Sequence, residues 1–251
     1  MLMRIFILFF LLNFVMIFAV ENNSQINYFQ IYQENSNFEN FRKAIEHYNS
    51  NLSQDKDNFE SNLYLSYLYF MEMNRNLERL KNNFDVLDNR TKFSFANLLL
   101  NLGRYDESIT YYEKLNQESP NWSCPWRHKG EALMKLNRFE EAEKALQKAI
   151  ETREEHYDAY VMLAEVQKEM GKYREALQTL NKGFSYKGKD IEDSEDEVTE
   201  LDVKFLHLEL LKRNGKIAEY QNLKTFLEEK APKDKRWEKI NKIQAIDLEK
   251  K

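Results

Sequence analysis

The chain has 251 residues and a formal net charge of −5, with 42% apolar and 31% charged residues, the balance of a soluble folded protein. With 6 Gly and 3 Pro there is little material for the turns of an all-β fold, and helices joined by short loops are favoured. The charges are mixed with no basic stripe, which argues against a nucleic-acid partner, and the single cysteine, Cys124, excludes an intramolecular disulfide and a cysteine zinc site.

Residues 1–20 stand apart. Arg4 is the only charge, Ile5 to Val20 is apolar except for Asn13, and Glu21-Asn22-Asn23-Ser24 turns sharply polar. A basic start, an apolar core and a small residue near the end predict a secretory signal peptide, cut after Ala19 with Ile17 three positions before the cut. An uncleaved N-terminal anchor is the alternative, at the short edge of the ~20 apolar residues that a spanning helix needs; a buried helix is the third reading. Under the first two, residues 21–251 face the periplasm or the exterior, and the membrane is met only through an uncleaved start. Removing Met1–Ala19 removes one Arg and takes the formal charge from −5 to −6. Asn-x-Ser/Thr triplets at Asn22, Asn51, Asn89 and Asn121 are glycosylation acceptors in a eukaryotic secretory protein and chance matches in an Asn-rich bacterial one.

Residues 25–88 read as degenerate helix pairs. The first helix is Gln25 to Glu34, with Tyr28, Phe29 and Tyr32 as contacts, and its partner carries Phe41, Ala44 and Tyr48. A helix over Phe59–Met73 follows, with a turn at Asn74-Arg75-Asn76 and a return helix over Leu77–Leu87. The apolar face Leu77, Leu80, Phe84 and Leu87 has helical spacing.

Residues 89–188 write one pattern three times at a step of 34. The turns are Leu102-Gly103-Arg104-Tyr105, Leu136-Asn137-Arg138-Phe139 and Met170-Gly171-Lys172-Tyr173. Three residues past each aromatic stands Ser108, Ala142 or Ala176, and four further on Tyr112, Leu146 or Leu180. A fixed period of this length marks stacked supersecondary units. The first helix of each unit carries large residues on one face: Phe95 and Leu99, Trp126 and Leu133, Tyr160 and Leu163. Small residues lie beside them (Ala96, Gly130, Ala164), and helix axes approach closely only where small side chains meet. Gly or Asn at 103, 137 and 171 accepts the left-handed conformation that ends a helix.

These positions resemble the tetratricopeptide repeat. Trp126, Gly130, Asn137, Phe139, Ala142, Leu146 and Ala149 fit its pattern; so do Tyr160, Leu163, Ala164, Gly171, Tyr173, Ala176 and Leu180, and again Phe95, Ala96, Leu99, Gly103, Tyr105, Tyr112 and Pro120. Lys92 and Lys129 stand at usually apolar positions, Gln167 where an aromatic is common, and Glu154 and Gly188 for the terminal Pro. The resemblance implies an all-α fold of antiparallel helix pairs stacked in a right-handed superhelix, an α-solenoid, whose concave face binds a protein or peptide. Carried across, the groove residues are Tyr67, Phe70, Phe93, Asn97, Asn101, Arg127, Glu131, Lys135, Val161, Glu165 and Lys168; the alternative for them is an ordinary solvated face. The carboxylate clamp of chaperone-binding members is not expected: Asn97 fits it, but Phe93, His128, Asp158 and Met162 stand at its other positions.

Residues 189–231 read as an acidic link and a further degenerate pair. Asp190 to Glu200 holds seven carboxylates, with Ser194 and Glu197 as a capping box. A helix over Val198–Arg213 carries Leu201, Phe205, Leu208 and Leu211, Asn214-Gly215 ends it, and Lys216–Lys230 returns. Residues 232–251 are read as a capping helix, about Lys233 to Lys250, with Trp237, Ile240, Ile243 and Ile246 on one side.

No catalytic, cofactor-binding or metal-binding set emerges. The histidines His47, His128, His156 and His207 lie in separate units. Cys124 and His128, four apart, would share a metal or lower the thiol pKa, but two ligands make no zinc site and Pro125 reads as a first-turn helix residue. The expectation is an exported, non-catalytic scaffold that binds a partner in its groove, in envelope assembly or complex formation. The alternative is a membrane-tethered subunit that joins a complex through its outer helix faces.

Overall fold

The computed structural model describes residues 27–188 and 200–243. They are helical throughout, with no strand among them, and the chain divides into two compact units, Met1–Asn83 and Phe84–Lys251.

In the first unit, α1 spans Tyr28–Glu34, α2 Phe38–Gln54 and α3 Phe59–Asn82. Asn27, Asn37 and Asn58 each precede a helix, and each side chain accepts a backbone N–H three residues on. That is the standard way of satisfying an orphan donor at a helix start, and it uses part of the chain's abundant asparagine. The core is aromatic: Phe29, Tyr32, Tyr48 and Tyr64 close over Leu65, Leu68 and the fully buried Ala44. Tyr48 stacks on Tyr64 at 5.1 Å, and its hydroxyl accepts the Phe29 N–H at 3.3 Å. Burial raises the Tyr48 pKa above its ordinary value.

The expected turn at Asn74-Arg75-Asn76 is absent, because α3 runs through it for 24 residues. Nothing in Phe59–Asn82 is Gly or Pro, and an interior Asn costs a helix well under 1 kcal/mol. Tertiary contacts then favour continuation: Leu77 is buried, and Arg75 pairs with Glu72 at 2.7 Å while lying over the Tyr32 ring. The expected return helix Leu77–Leu87 is therefore the end of α3 followed by a single 3₁₀ turn, Phe84–Val86. Phe84 belongs to the second unit, packed on Phe95 and Tyr111.

The second unit holds α4 Asn89–Asn101, α5 Tyr105–Glu118, α6 Ser123–Lys135, α7 Phe139–Thr152, α8 Tyr157–Glu169, α9 Tyr173–Phe184, α10 Glu200–Arg213, α11 Ile217–Lys230 and α12 Arg236–Lys242. Successive helices from α4 to α11 pack on one another, and α4, α6, α8, α10 and α12 also touch in series. The first helix of each pair thus belongs to one continuous row.

The turns follow one geometry. Gly103, Asn137, Gly171 and Gly215 have φ of 72°, 58°, 77° and 68°. At each, two amides reach back over the last helical turn: Arg104 N to Leu99 O and Gly103 N to Leu100 O, both 2.9 Å, recur at Arg138, Lys172 and Lys216. This Schellman arrangement satisfies carbonyls that a helix end leaves open. Its recurrence at Gly215 shows that α10 and α11 form a fourth helix pair built like the regular three.

Close approach is also literal. A Cβ on Gly130 would lie 2.6 Å from Leu146 Cγ, and one on Gly183 2.7 Å from Tyr160 Cβ. Ser108, Ala142 and Ala176 are fully buried. The departures from the repeat pattern find local partners. Buried Lys92 carries its ammonium to Glu118 at 2.7 Å, Lys129 pairs with Glu113 at 2.9 Å, and the buried Gln167 accepts the Thr179 hydroxyl at 2.8 Å. A long aliphatic stem fills the apolar slot while its charge reaches a rim carboxylate.

The capping helix starts later than expected, at Arg236, and its described turns end at Lys242; residues 244–250 of the expected span lie outside the described residues. Asp234 accepts the Arg236 N–H at 2.9 Å and the guanidinium at 2.7 Å, which holds its carboxyl down at about 2 and delays the helix start to Arg236. Trp237, Ile240 and Ile243 pack on the core around Phe205 and Leu208. Ile246 and the Ser194–Glu197 capping box lie outside the described residues.

Candidate functional site: the cleft along α6, α8, α10 and α12

The first-helix row of the second unit lines a cleft of about 630 Å³. Residues three and four apart share a helix face, and this spacing selects the walls. α6 gives Glu131, Met134 and Lys135; α8 gives Val161, Met162, Glu165, Lys168 and Glu169; α10 gives Asp202, Val203, Phe205, Leu206 and Glu209; α12 closes one side with Arg236, Lys239 and Ile240. Asn137 and Phe139 add the edge of the α6–α7 turn.

The floor is apolar and the walls carry charges in alternating sign. Lys168, with a side chain 9% exposed, lies 2.9 Å from Glu169 and 3.9 Å from Glu165. Burial alone would lower its pKa; the hydrogen bond to Glu169 and the fields of Glu165 and Glu209 outweigh it and raise it. Glu169 is pushed up by burial and held lower by the Lys168 ammonium, with the second effect winning. Glu209 is nearly buried between Arg213 at 2.9 Å and Lys239 at 3.1 Å. The Arg236 guanidinium lies 4.2 Å over the Phe205 ring and pairs with Asp202 and Asp234.

At the α6 end, Glu131 lies 3.4 Å from His128 Nδ1. Burial would raise its carboxyl, but His128, Arg127 and Lys135 hold it below its ordinary value. A carboxylate with a lowered folded pKa adds stability above its unfolded pKa, and that stability is lost as pH falls through the folded value. Wild type should therefore lose stability more steeply than Glu131→Gln below about pH 4.5, and the two slopes should converge above it; urea melts at a series of pH values read this.

Five predicted groove residues meet in this cleft: Glu131, Lys135, Val161, Glu165 and Lys168. The others do not line it. Asn97 accepts the Tyr112 hydroxyl at 2.5 Å, Phe93 packs on the Trp122 and His128 rings at 4.8 and 5.2 Å, and Asn101 is exposed on α4. Tyr67 belongs to the first unit, where it packs on Phe29 at 5.9 Å, and Phe70 is exposed there.

Arg127 corrects the sequence reading. It is 4% exposed, with Nη2 2.6 Å from His128 Nε2 and Nη1 3.9 Å from Met162 Sδ. It is a buried strut between α6 and α8 rather than a solvated groove side chain. The His128 ring is turned to Arg127 and Glu131 and stacks on Tyr112. Among the described residues, no group of three or more His, Cys, Asp or Glu is placed to hold a metal ion, and no helix is long and apolar enough to cross a membrane. Residues 1–20 lie outside that description.

The sequence reading missed the α10 and α12 walls. One signal was present: aligning Gly215 with Gly171 sets Phe205, Leu206 and Glu209 at the positions of Val161, Met162 and Glu165. No repeat register reaches α12.

Residues 99–154 and 133–192 match the family model of the tetratricopeptide repeat. No curated protein matches the chain. Among solved structures it is similar to YrrB, a TPR protein with an unusual peptide-binding site, at a TM-score of 0.50 and 19% identity over 62% of this chain and 74% of that one. It is also similar to pilF of Pseudomonas aeruginosa, at a TM-score of 0.53 and 15% identity over 85% and 95%. At such identities the likeness is one of fold. With the 34-residue step, the Schellman turns and the small-residue contacts, these matches identify residues 99–192 as tetratricopeptide repeats.

Proposed function

We propose that the chain is an exported, non-catalytic scaffold that holds a protein or peptide partner in the cleft along α6, α8, α10 and α12, serving envelope assembly or complex formation. The supporting observation is the cleft itself: a concave, apolar-floored surface with polar walls, along the row of first helices. Sites of this shape are the usual place for ligands. YrrB, which shares the fold, is described with a peptide-binding site. Export rests on the apolar residues 1–20.

The test is site-specific photocrosslinking in cells, with a benzophenone side chain placed at Lys135, Glu165 or Leu206 in the cleft, or at Thr110 or Lys144 on exposed positions of the second helices. Adducts are expected from the cleft positions. Adducts from Thr110 and Lys144 alone would transfer the interaction to the outer faces and overturn the cleft reading.

A further inference from the structure

A segment of the chain already occupies one wall of the cleft, and it shows what chemistry that wall accepts. In α12, Ile240 is 2% exposed, Arg236 stacks on Phe205 and pairs with Asp202, and Lys239 pairs with Glu209 at 3.1 Å. The α10 wall thus receives two basic side chains and one aliphatic one.

The α8 wall continues the same chemistry without such a segment. Glu165 and Glu169 stand four apart on one helix face, with side chains 49% and 43% exposed, and like charges at that spacing repel. The single cation between them, Lys168, is turned inward at 9% exposure, 2.9 Å from Glu169 but 3.9 Å from Glu165. Lys239 pairs with Glu209 and acts on Glu169 only through its field, as Arg213 does; Arg236 pairs with Asp202 and Asp234, and Lys135 stands one turn from Glu131. Glu165 and Glu169 thus share the Lys168 ammonium as their ion-pair partner, beside an apolar strip of Met134, Met162 and Leu206.

We infer that the cleft selects a cationic, aliphatic peptide segment. Its basic side chains reach Glu165 and Glu169, and its aliphatic side chain covers Met134 and Leu206, alongside α12. This rests on the cleft being the binding surface. Charge complementarity of this kind steers association and rejects partners of the wrong sign.

The experiment uses fluorescence anisotropy of the full chain with two probes: a fluorescein-labelled copy of residues 235–243, and the same peptide with its four basic residues, at 235, 236, 239 and 242, replaced by Glu. The native copy should bind at least about tenfold tighter than the reversed one in ~0.05 M salt, and the gap should shrink in ~0.5 M salt. Glu165→Lys with Glu169→Lys should lose about tenfold for the native copy and melt below wild type, because it removes the partners of the inward-turned Lys168; Glu165→Gln with Glu169→Gln should lose less of both, and stands in should the reversal fail to fold. Equal binding of both copies, abolished by Leu206→Trp, would overturn the charge selection and leave the cleft as the binding surface. No binding of either copy, or binding indifferent to Leu206→Trp, would overturn both.

Discussion

Leu146→Ala is expected to lower the stability by about 2–5 kcal/mol, the range for a large-to-small change in a packed core. Leu146 is fully buried on α7 and belongs to the cluster that joins Leu133, Ala142, Leu163 and Val166. Its isobutyl group lies where a Cβ on Gly130 would fall, 2.6 Å from Cγ, so α6 and α7 meet by a glycine receiving a leucine. That contact makes a second, coupled expectation. Gly130→Ala alone overpacks the site and costs about 1–3 kcal/mol. In the Leu146→Ala background the same methyl enters the cavity, and Ala replaces Gly inside a helix, worth up to about 1 kcal/mol. The double variant should therefore be more stable than Leu146→Ala, a sign reversal that additivity forbids. Denaturant midpoints of the four proteins decide it: purely additive losses would refute the contact.

Arg127→Ala should cost about 3–5 kcal/mol, as expected when one member of a buried charge cluster is removed, whereas Arg127→Met should cost less. The side chain is 4% exposed, against His128 Nε2 at 2.6 Å and Met162 Sδ at 3.9 Å, and its charge helps keep the Glu131 carboxyl ionised. Methionine keeps a long apolar stem between α6 and α8 and removes only the charge; alanine removes both. The gap between the two variants measures packing, and the loss common to both measures the charge. Since that charge supports ionised Glu131, the common loss should fade as pH drops below about 4.5. A change within about 0.5 kcal/mol for Arg127→Ala would be the result for a surface side chain, and would return Arg127 to the solvated groove face.

The regular repeats were legible because their constraints are local. Gly103, Asn137 and Gly171 each need a left-handed backbone, and Gly130, Ala142 and Ala176 each sit where two axes meet. Such requirements exclude most residue types and therefore recur visibly at a fixed step. The Asn74-Arg75-Asn76 turn misled for the opposite reason. Those residues tolerate helix and coil nearly equally, and burial of Leu77 and the Arg75–Glu72 pair settled the matter. Arg127 misled because repeat register gives the face of a helix but not how far the next helix leans over it; Met162, one repeat on, covers the guanidinium.

What the sequence determined by itself is the helix-pair unit, its step and its turns, because turn backbone and axis spacing are decided by residues within one repeat. Which groove residues share a single cleft was decided only by tertiary structure. Glu131, Lys135, Glu165 and Lys168 come together with Phe205, Leu206 and Glu209 because first helices stack on first helices across intervals of 30 residues or more. Arg236 and Lys239 join them because Trp237 and Ile240 bury their apolar area against α10 and turn their helix into the cleft wall. Burial of apolar surface has magnitude but no direction written in the chain, so the place where α12 docks is fixed by the shape of the core it meets.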